Sequence, residues 1–156
     1  MKTMDALEDL LTKHPFLTGL KEEVRDLFGD CATLRRFASN QQIFQEGGEA
    51  DHFYLIISGK VALETFVPGL GMVTIQSLGP GDALGWSWLF PPHQWHFTAS
   101  TQAPTEVISL DAAQLRYKAE ENREFRDELL TRISKTLLER LLATRVQLID
   151  VYAMRP

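Results

Sequence analysis

The stretch from Thr33 to Leu110 consists of short runs of β-branched and aromatic residues separated by glycine and proline. Turns are expected where Ser58-Gly59 and Gly79-Pro80-Gly81 interrupt these runs, because glycine takes a positive φ at little steric cost. The runs predict strands at 33–37, 42–45, 52–57, 60–66, 72–78, 96–100 and 105–110. Strands this short and this regularly spaced are typical of a sandwich or a barrel, so we expect a mainly β fold.

Helices are expected on both sides of this β region. Apolar residues at helical spacing predict a first helix over 4–12 and a second over 21–28. Asp111, followed three residues later by Gln114, is typical of a helix N-cap, and Asn122 predicts the cap of a long final helix. The chain is therefore expected to form one structural domain, in which N-terminal helices, a β region and C-terminal helices occupy residues 1–30, 31–110 and 111–156.

The overall composition argues against several classes of function. The chain has 156 residues and a formal net charge of −5, whereas DNA-binding surfaces are rich in Lys and Arg. Few residues follow the predicted final helix, so no helix-turn-helix is expected either. No run reaches the ~20 apolar residues of a membrane span, and the first residues lack the apolar core of a signal peptide. We expect a cytoplasmic protein with no direct DNA binding and no membrane association.

The predicted final helix carries more apolar surface than one packing contact uses. One line consists of Phe125, Leu129, Ile133, Leu137 and Leu141, and a second line beside it of Leu130, Leu138, Leu142, Val146 and Ile149. A helix of about 30 residues is about 45 Å long, which is as long as the whole domain is wide. We therefore expect one line to pack on the β region and the other to form a homodimer through residues 123–152. The alternative is a helix that breaks and folds back as two core helices.

Three segments occur in the order and spacing of a known family: 43–51 (IFQEGGEAD), 54–61 (YLIISGKV) and 78–82 (LGPGD). They resemble the cyclic-nucleotide-binding domain superfamily, and within it the sensor domain of the catabolite-activator and fumarate-nitrate regulators. The resemblance covers residues 17–150. It implies an eight-stranded β-roll (a double-stranded β-helix, or cupin-like jelly roll) with N-terminal helices and a long C-terminal dimer helix.

The stretch 78–98 resembles the family's phosphate-binding cassette, but its charged ligand contacts are replaced. Gly85 matches the glycine that lets a phosphate approach the backbone. Trp86 stands where the family has a glutamate for the ribose, and Trp95 where it has an arginine for the phosphate. The resemblance thus implies a ligand site with altered contacts, for which we predict Gly85, Trp86, Ser87, Trp88, Leu89, Trp95, His96, Phe97 and Thr98.

Two residues of the long helix complete the predicted site. Thr144 falls near the family's base-contacting threonine, and Arg145 could supply a positive charge. A hydrogen bond to a charged group contributes ~1.5–3 kcal/mol, so losing both cassette contacts costs ~3–6 kcal/mol, or about two to four decades of affinity. We expect no resident cofactor and no tight binding of cyclic AMP or cyclic GMP. The expected effector is a small molecule, either a weakly bound cyclic nucleotide or a different compound.

The aromatic residues of the cassette allow two interpretations. Either they fill a disused cavity as core, or they line a pocket for a flat or apolar ligand. The first makes the chain a ligand-independent interaction module, and the second makes it a sensor that changes the state of a protein partner. His93 and His96 have H-x-x-H spacing, but no carboxylate lies close in sequence, so no metal site is predicted. Without a nucleophile–base motif or a P-loop, the chain is expected to be non-catalytic.

Overall fold

The computed structural model describes residues 2–154. Its helices are α1 (Lys2–Lys13), α2 (Glu22–Gly29), α3 (Ala112–Glu121), α4 (Arg123–Ala153) and a 3₁₀ helix at Trp86–Leu89. Its strands are β1 (Ala32–Phe37), β2 (Gln42–Phe44), β3 (His52–Ser58), β4 (Val61–Val67), β5 (Gly71–Leu78), β6 (Ala83–Leu84), β7 (Thr98–Thr101) and β8 (Thr105–Asp111). The predicted mainly β fold with N-terminal helices and one long C-terminal helix is confirmed.

The strands form two antiparallel sheets of four strands each, in the orders β1-β8-β3-β6 and β2-β7-β4-β5. In the first sheet β8 lies between β1 and β3, with Leu55 opposite Ile108. Many side chains of the two sheets are fully or almost fully buried; they include Leu55, Ile56, Leu63, Ala99, Val107 and Ile108. Because the chain alternates between the sheets, this is the β-roll that the resemblance implied, although the two sheets do not close into a barrel.

Strand β6 is absent from the strands predicted by residue pattern. It has only two residues, Ala83 and Leu84, which pair with Leu55 and Tyr54 of β3. So short a strand shows no alternation that a pattern could detect. Two backbone hydrogen bonds, each of 2.9 Å, join the turn before β6 to Ile56 of β3. Gly81 N–H donates to Ile56 O, and Ile56 N–H donates to Asp82 O.

Both predicted helix caps are confirmed. The Asp111 carboxylate accepts a hydrogen bond of 2.9 Å from the Gln114 N–H at the start of α3. The Asn122 side-chain oxygen accepts one of 2.9 Å from the Phe125 N–H at the start of α4. Each bond satisfies a backbone donor that the first helical turn leaves without a partner.

Helix α4 is one unbroken helix of 31 residues, so the alternative of two shorter core helices is wrong. Its first half is anchored in the core: Phe125, Leu129 and Ile133 are at most 3% exposed, and the Phe125 ring lies 4.6 Å from that of Phe28 in α2. Beyond Ile133, Leu137 is still partly buried against the core, whereas five of the apolar side chains that follow are between 46% and 65% exposed, namely Leu138, Leu141, Leu142, Val146 and Ile149. The first predicted apolar line therefore packs on the domain only in its N-terminal part.

Within residues 2–154 there is no helix long and apolar enough to cross a bilayer.

A buried histidine joins the end of α1 to the sheet. The His14 side chain is 4% exposed, its Nδ1 accepts a hydrogen bond of 3.1 Å from the Phe16 N–H, and its Nε2 lies 2.9 Å from Ile56 O. Since Nδ1 accepts, Nε2 carries the proton and the ring is neutral. Burial lowers the pKa of His14 below its ordinary 6.5, although the Ile56 hydrogen bond and the nearby Asp82 charge act in the opposite direction.

We predict that His14 makes the domain less stable in mild acid. The pKa of His14 is lower in the folded than in the unfolded chain, so the unfolded chain takes up the proton first as the pH falls through about 6.5. Stability is then lost, at up to about 1.4 kcal/mol per pH unit, until the folded pKa is reached. Urea unfolding at several pH values should show a smaller loss for His14→Gln, which keeps a donor for Ile56 O and does not titrate. Identical pH profiles for the two proteins would contradict this assignment.

Candidate ligand-binding site

The backbone of Gly85, where the resemblance expects a phosphate, is covered by an indole ring. Gly85 lies between β6 and the 3₁₀ helix with φ 92° and ψ 58°, in the left-handed region. A Cβ at this position would lie 2.6 Å from Cζ3 and 2.8 Å from Cη2 of Trp95, which is well inside van der Waals contact. Glycine is therefore required twice, by the backbone conformation and by the approach of the ring.

Trp95 is held in this position from several sides. Its ring stacks on Phe44 of β2 with centroids 3.8 Å apart and planes 11° from parallel. Its backbone exchanges hydrogen bonds with the turn after β2, through Gly48 O at 2.9 Å and Gly47 N–H at 2.8 Å. Only 4% of the residue is exposed, so the side chain belongs to the core.

Little room remains beside the ring. The cavity is lined by Phe44, Leu63, Leu84, Gly85, Trp86, Ser87, Trp95, His96 and Phe97, and the space inside it is about 10 Å³. That is at the lower limit for a single water molecule. In this conformation the cassette has no space for a nucleotide.

Three polar side chains at or near the cavity form hydrogen bonds within the protein. The Ser87 hydroxyl and His96 Nδ1 lie 2.8 Å apart, a hydrogen bond that joins the 3₁₀ helix to the segment before β7. Thr98 Oγ1 accepts a hydrogen bond of 3.0 Å from the Glu46 N–H. Among residues whose side chains the structure describes, no three His, Cys, Asp or Glu side chains come together as metal ligands.

Arg140 of α4 reaches the cassette. Its Nη2 donates a hydrogen bond to Ala83 O of β6, and its guanidinium carbon lies 5.0 Å from the ring centroid of Trp86, over its face. Its Nη1 is buried with no hydrogen-bond partner in the described part of the chain. Burial lowers the pKa of Arg140, which the charges of Asp82 and Glu139 partly offset. A cation–π contact of this kind, away from water, stabilises by up to ~2 kcal/mol.

The structure brings together six of the predicted site residues around the cavity and separates the other five from it. The six are Gly85, Trp86, Ser87, Trp95, His96 and Phe97. Of the rest, Trp88 is fully buried, 5.5 Å from the Phe53 ring, and Leu89 also packs on the core. Thr98 points to the turn after β2, and Thr144 and Arg145 are exposed on α4.

Arg140 is the residue that sequence reasoning missed. Its mixed-charge surroundings on α4 are typical of a solvated helix face, and nothing in its neighbours distinguishes it from Arg145. Arg132 is likewise not on a solvated face, because its Nη1 donates a hydrogen bond of 2.8 Å to Phe16 O. Arg132 and Arg140 are eight residues apart and so lie on one face of α4. The apolar series Leu129 and Ile133 marks that face, and is the one signal that could have found them.

Comparison with known proteins places this chain in a family. The family model described as "Cyclic nucleotide-binding domain" matches residues 34–122. A curated relative, the CRP-like cAMP-activated global transcriptional regulator of Mycobacterium tuberculosis, is 30% identical over 115 residues, which are 74% of this chain and 50% of the relative. The chain thus spans about half the length of the curated relatives it matches.

Solved structures show the same fold. A cyclic nucleotide-binding protein from Geobacter metallireducens has a TM-score of 0.75 and 26% identity, covering 90% of this chain and 99% of that one. The regulatory subunit of a cAMP-independent protein kinase A from Trypanosoma brucei has a TM-score of 0.62 and 21% identity, covering 71% and 39%. Since the family match extends over more than half of the 156 residues, the chain belongs to the cyclic nucleotide-binding domain family.

Proposed function

We propose that this chain is a non-catalytic regulatory domain that binds no cyclic nucleotide tightly and acts on a protein partner as a dimer through α4. The observation that carries the proposal is the Trp95 ring on the backbone of Gly85. The proposed function includes no direct contact with DNA, because the chain has a net charge of −5 and duplex binding depends on clustered cations.

Three features support the absence of tight cyclic-nucleotide binding. Indoles stand at both positions where the family pattern has charged ligand contacts, Trp86 and Trp95. The remaining cavity of about 10 Å³ is far below the ~300 Å³ of small ligand sites. The fold is also not restricted to cyclic-AMP-dependent proteins, since it occurs in a kinase regulatory subunit described as cAMP-independent.

The contact between Gly85 and Trp95 can be tested by a double-mutant cycle. Gly85→Ala should cost the ~1–2 kcal/mol of a left-handed non-glycine residue and, in addition, the clash with the indole. In a Trp95→Leu background the clash should disappear and only the first cost should remain. Urea unfolding of the four proteins gives the coupling free energy.

Gly69→Ala is the matched control, because Gly69 has a φ of +88° and no atom within 4 Å of a built Cβ. Its cost should equal the backbone cost alone. Additive effects of Gly85→Ala and Trp95→Leu would show that the ring does not rest on Gly85.

Nucleotide binding is tested by calorimetric titration with cyclic AMP and cyclic GMP. If a complete cassette binds at about 1 µM, loss of two charged contacts places the dissociation constant at about 0.1–10 mM. The double variant Trp86→Glu, Trp95→Arg should gain affinity over the wild type, with circular dichroism to check that it folds. Micromolar binding to the unaltered protein would refute the proposal.

Arg140 supports a route from the cassette to α4 that needs no ligand. Its side chain joins the Ala83 carbonyl and the Trp86 ring to the middle of α4. One heptad further along the same face, Gln147 donates a hydrogen bond of 3.1 Å to Ile75 O. Arg140 therefore links the cassette to the middle of α4, and Gln147 links the outer half of the helix to β5.

The outer face of α4 supports the dimer. Leu138, Leu142, Arg145 and Ile149 follow one another at steps of four, three and four residues, which is the a/d spacing of a two-stranded coiled coil. This seam points away from Arg140 and Gln147, whose side chains face the roll. The three apolar residues of the seam are between 46% and 53% exposed, so the rest of the same subunit does not bury them.

Sedimentation equilibrium tests the dimer. The wild type should have twice the monomer mass at micromolar concentration, and Leu142→Asp should be monomeric because a buried unpaired charge is strongly unfavourable. Tyr117→Asp is the control: Tyr117 is 64% exposed but lies on α3, so the dimer should persist. A wild type that has the monomer mass at this concentration would contradict the proposed dimer.

A second candidate function is a sensor of a flat anionic molecule. The observation that favours it is Nη1 of Arg140, which is buried beside Trp86 without a partner among residues 2–154 and would be satisfied by a carboxylate or phosphate. Such a ligand would have to displace an indole. In the calorimetric titration described above, aromatic acids would then bind while cyclic nucleotides do not.

A further inference from the structure

Helix α1 makes few contacts with the rest of the domain. Between residues 6 and 13, whose side chains the structure describes, Leu11 is the one buried side chain. Leu7 and Leu10 are partly buried against the core. The side-chain hydrogen bond and the ion pair that these residues form both stay within the helix. So few contacts are typical of a segment that opens locally while the rest of a domain remains folded.

A groove lies on each side of α1. The first has a volume of about 450 Å³, separates α1 from α2 and is lined in part by Leu7 and Asp26. The second has a volume of about 310 Å³ and lies between the end of α1, β3 and the turn before β6, where Leu10, Ile57 and Pro80 line it. A surface that faces a groove has no partner atoms there, so α1 gains fewer dispersion contacts than a fully packed helix.

His14 is the polar link between α1 and the roll. It directly follows the helix, and its Nε2 donates to Ile56 O of β3 at 2.9 Å while its Nδ1 accepts from the Phe16 N–H at 3.1 Å. Only 4% of the residue is exposed, so water does not compete for either bond. Both bonds require the neutral ring, because only that form donates at one nitrogen and accepts at the other.

A second proton on the ring is incompatible with this contact. At Nδ1 it would face the Phe16 N–H, so that two donors meet where a donor and an acceptor lie 3.1 Å apart. The imidazolium would also be buried, and a buried charge without a partner is strongly unfavourable. Both costs disappear when α1 moves away from the roll and the ring reaches water.

Burial lowers the pKa of His14, and the charges around the ring do not reverse this effect. Asp82, in the turn before β6, favours the protonated ring, but its carboxylate accepts a backbone N–H of its own turn at 2.8 Å. Lys13 of α1 lines the groove beside the ring and is paired within the helix at 3.0 Å. The segments 15–20 and 53–58, which contain the two hydrogen-bond partners of the ring, have no charged side chain.

We propose that the neutral His14 side chain holds α1 on the roll, and that its protonation in mild acid releases α1 while the rest of the domain stays folded. The detached helix has only 12 residues, which is too short to remain helical in water. Its release exposes Leu11 and the part of α2 around Gly29 that this side chain covers. The inference is independent of the proposed dimer and of the state of the cassette.

The experiment is hydrogen–deuterium exchange of the full chain at several pH values, with rates corrected for the intrinsic pH dependence of exchange. The released helix takes up a proton that the docked helix does not. Protection of α1 should therefore fall by up to about tenfold per pH unit once the pH is below 6.5, the ordinary pKa of histidine. The first half of α4, anchored by the buried Phe125 and Leu129, should keep its protection. Simultaneous loss of protection in both helices, or unchanged protection of α1, would overturn the proposal.

Two histidine variants separate His14 from general effects of acid. His14→Gln keeps an amide donor and an acceptor but does not titrate, so the pH dependence of α1 protection should disappear. His52→Gln is the matched control, because His52 pairs with Asp51 at 2.9 Å and lies four residues before Ile56 in β3; here the pH dependence should remain. If His14→Gln retains the dependence, or if His52→Gln abolishes it, His14 is not the group that holds α1.

A packing variant tests the attachment without changing the histidine, and it does not require His14→Gln to fold. Leu11→Ala removes most of the one buried side chain between residues 6 and 13. Protection of α1 should then be lower than in the wild type at neutral pH, where the ring is uncharged, and should still fall with the same pH dependence below 6.5. Wild-type protection of α1 in Leu11→Ala would show that the helix is held by other contacts.

Discussion

The Trp95 ring packs between Gly85 and Phe44. It thereby joins two edge strands, one from each sheet, that share no backbone hydrogen bonds. Phe44 belongs to β2, an edge strand of one sheet, and Gly85 follows β6, an edge strand of the other. The ring contacts both, so one side chain both closes this edge of the roll and occupies the position of the expected ligand. Filling the cassette with core residues adds burial and dispersion contacts, and it leaves no space for a nucleotide.

Helix α4 is attached to the roll by two different kinds of contact. Its first half packs by apolar side chains such as Phe125 and Leu129, which are fully buried. Its second half is held by hydrogen bonds from Arg140 and Gln147 to backbone carbonyls of the roll, each of which contributes only ~0.5–3 kcal/mol net. The outer half is therefore the more easily moved part, and it is the part that carries the exposed apolar seam. If this helix has a regulatory role, regulation would change the position of its outer half, which only a few hydrogen bonds hold beside the filled cassette.

Much of the fold could be predicted from local sequence. The β-branched and aromatic runs of β3 and β8, the turn at Ser58-Gly59 and the caps Asp111 and Asn122 each depend on residues within a few positions of one another. What the pattern missed depends on distant partners. Strand β6 exists because Ala83 and Leu84 meet β3, and Arg140 contacts the cassette because α4 passes over Trp86; neither fact has a local signal.

The same division holds for the candidate site. The sequence by itself determined that the cassette lacks charged contacts at Trp86 and Trp95, since residue identity alone decides the available hydrogen bonds. It left open whether those rings line a pocket or fill one, because the same aromatic residues suit both. Tertiary structure decided this: β2 brings Phe44 against Trp95, and the left-handed turn at Gly85 lets the ring approach to contact distance. Packing between residues far apart in the chain is what separates a filled cavity from an open one.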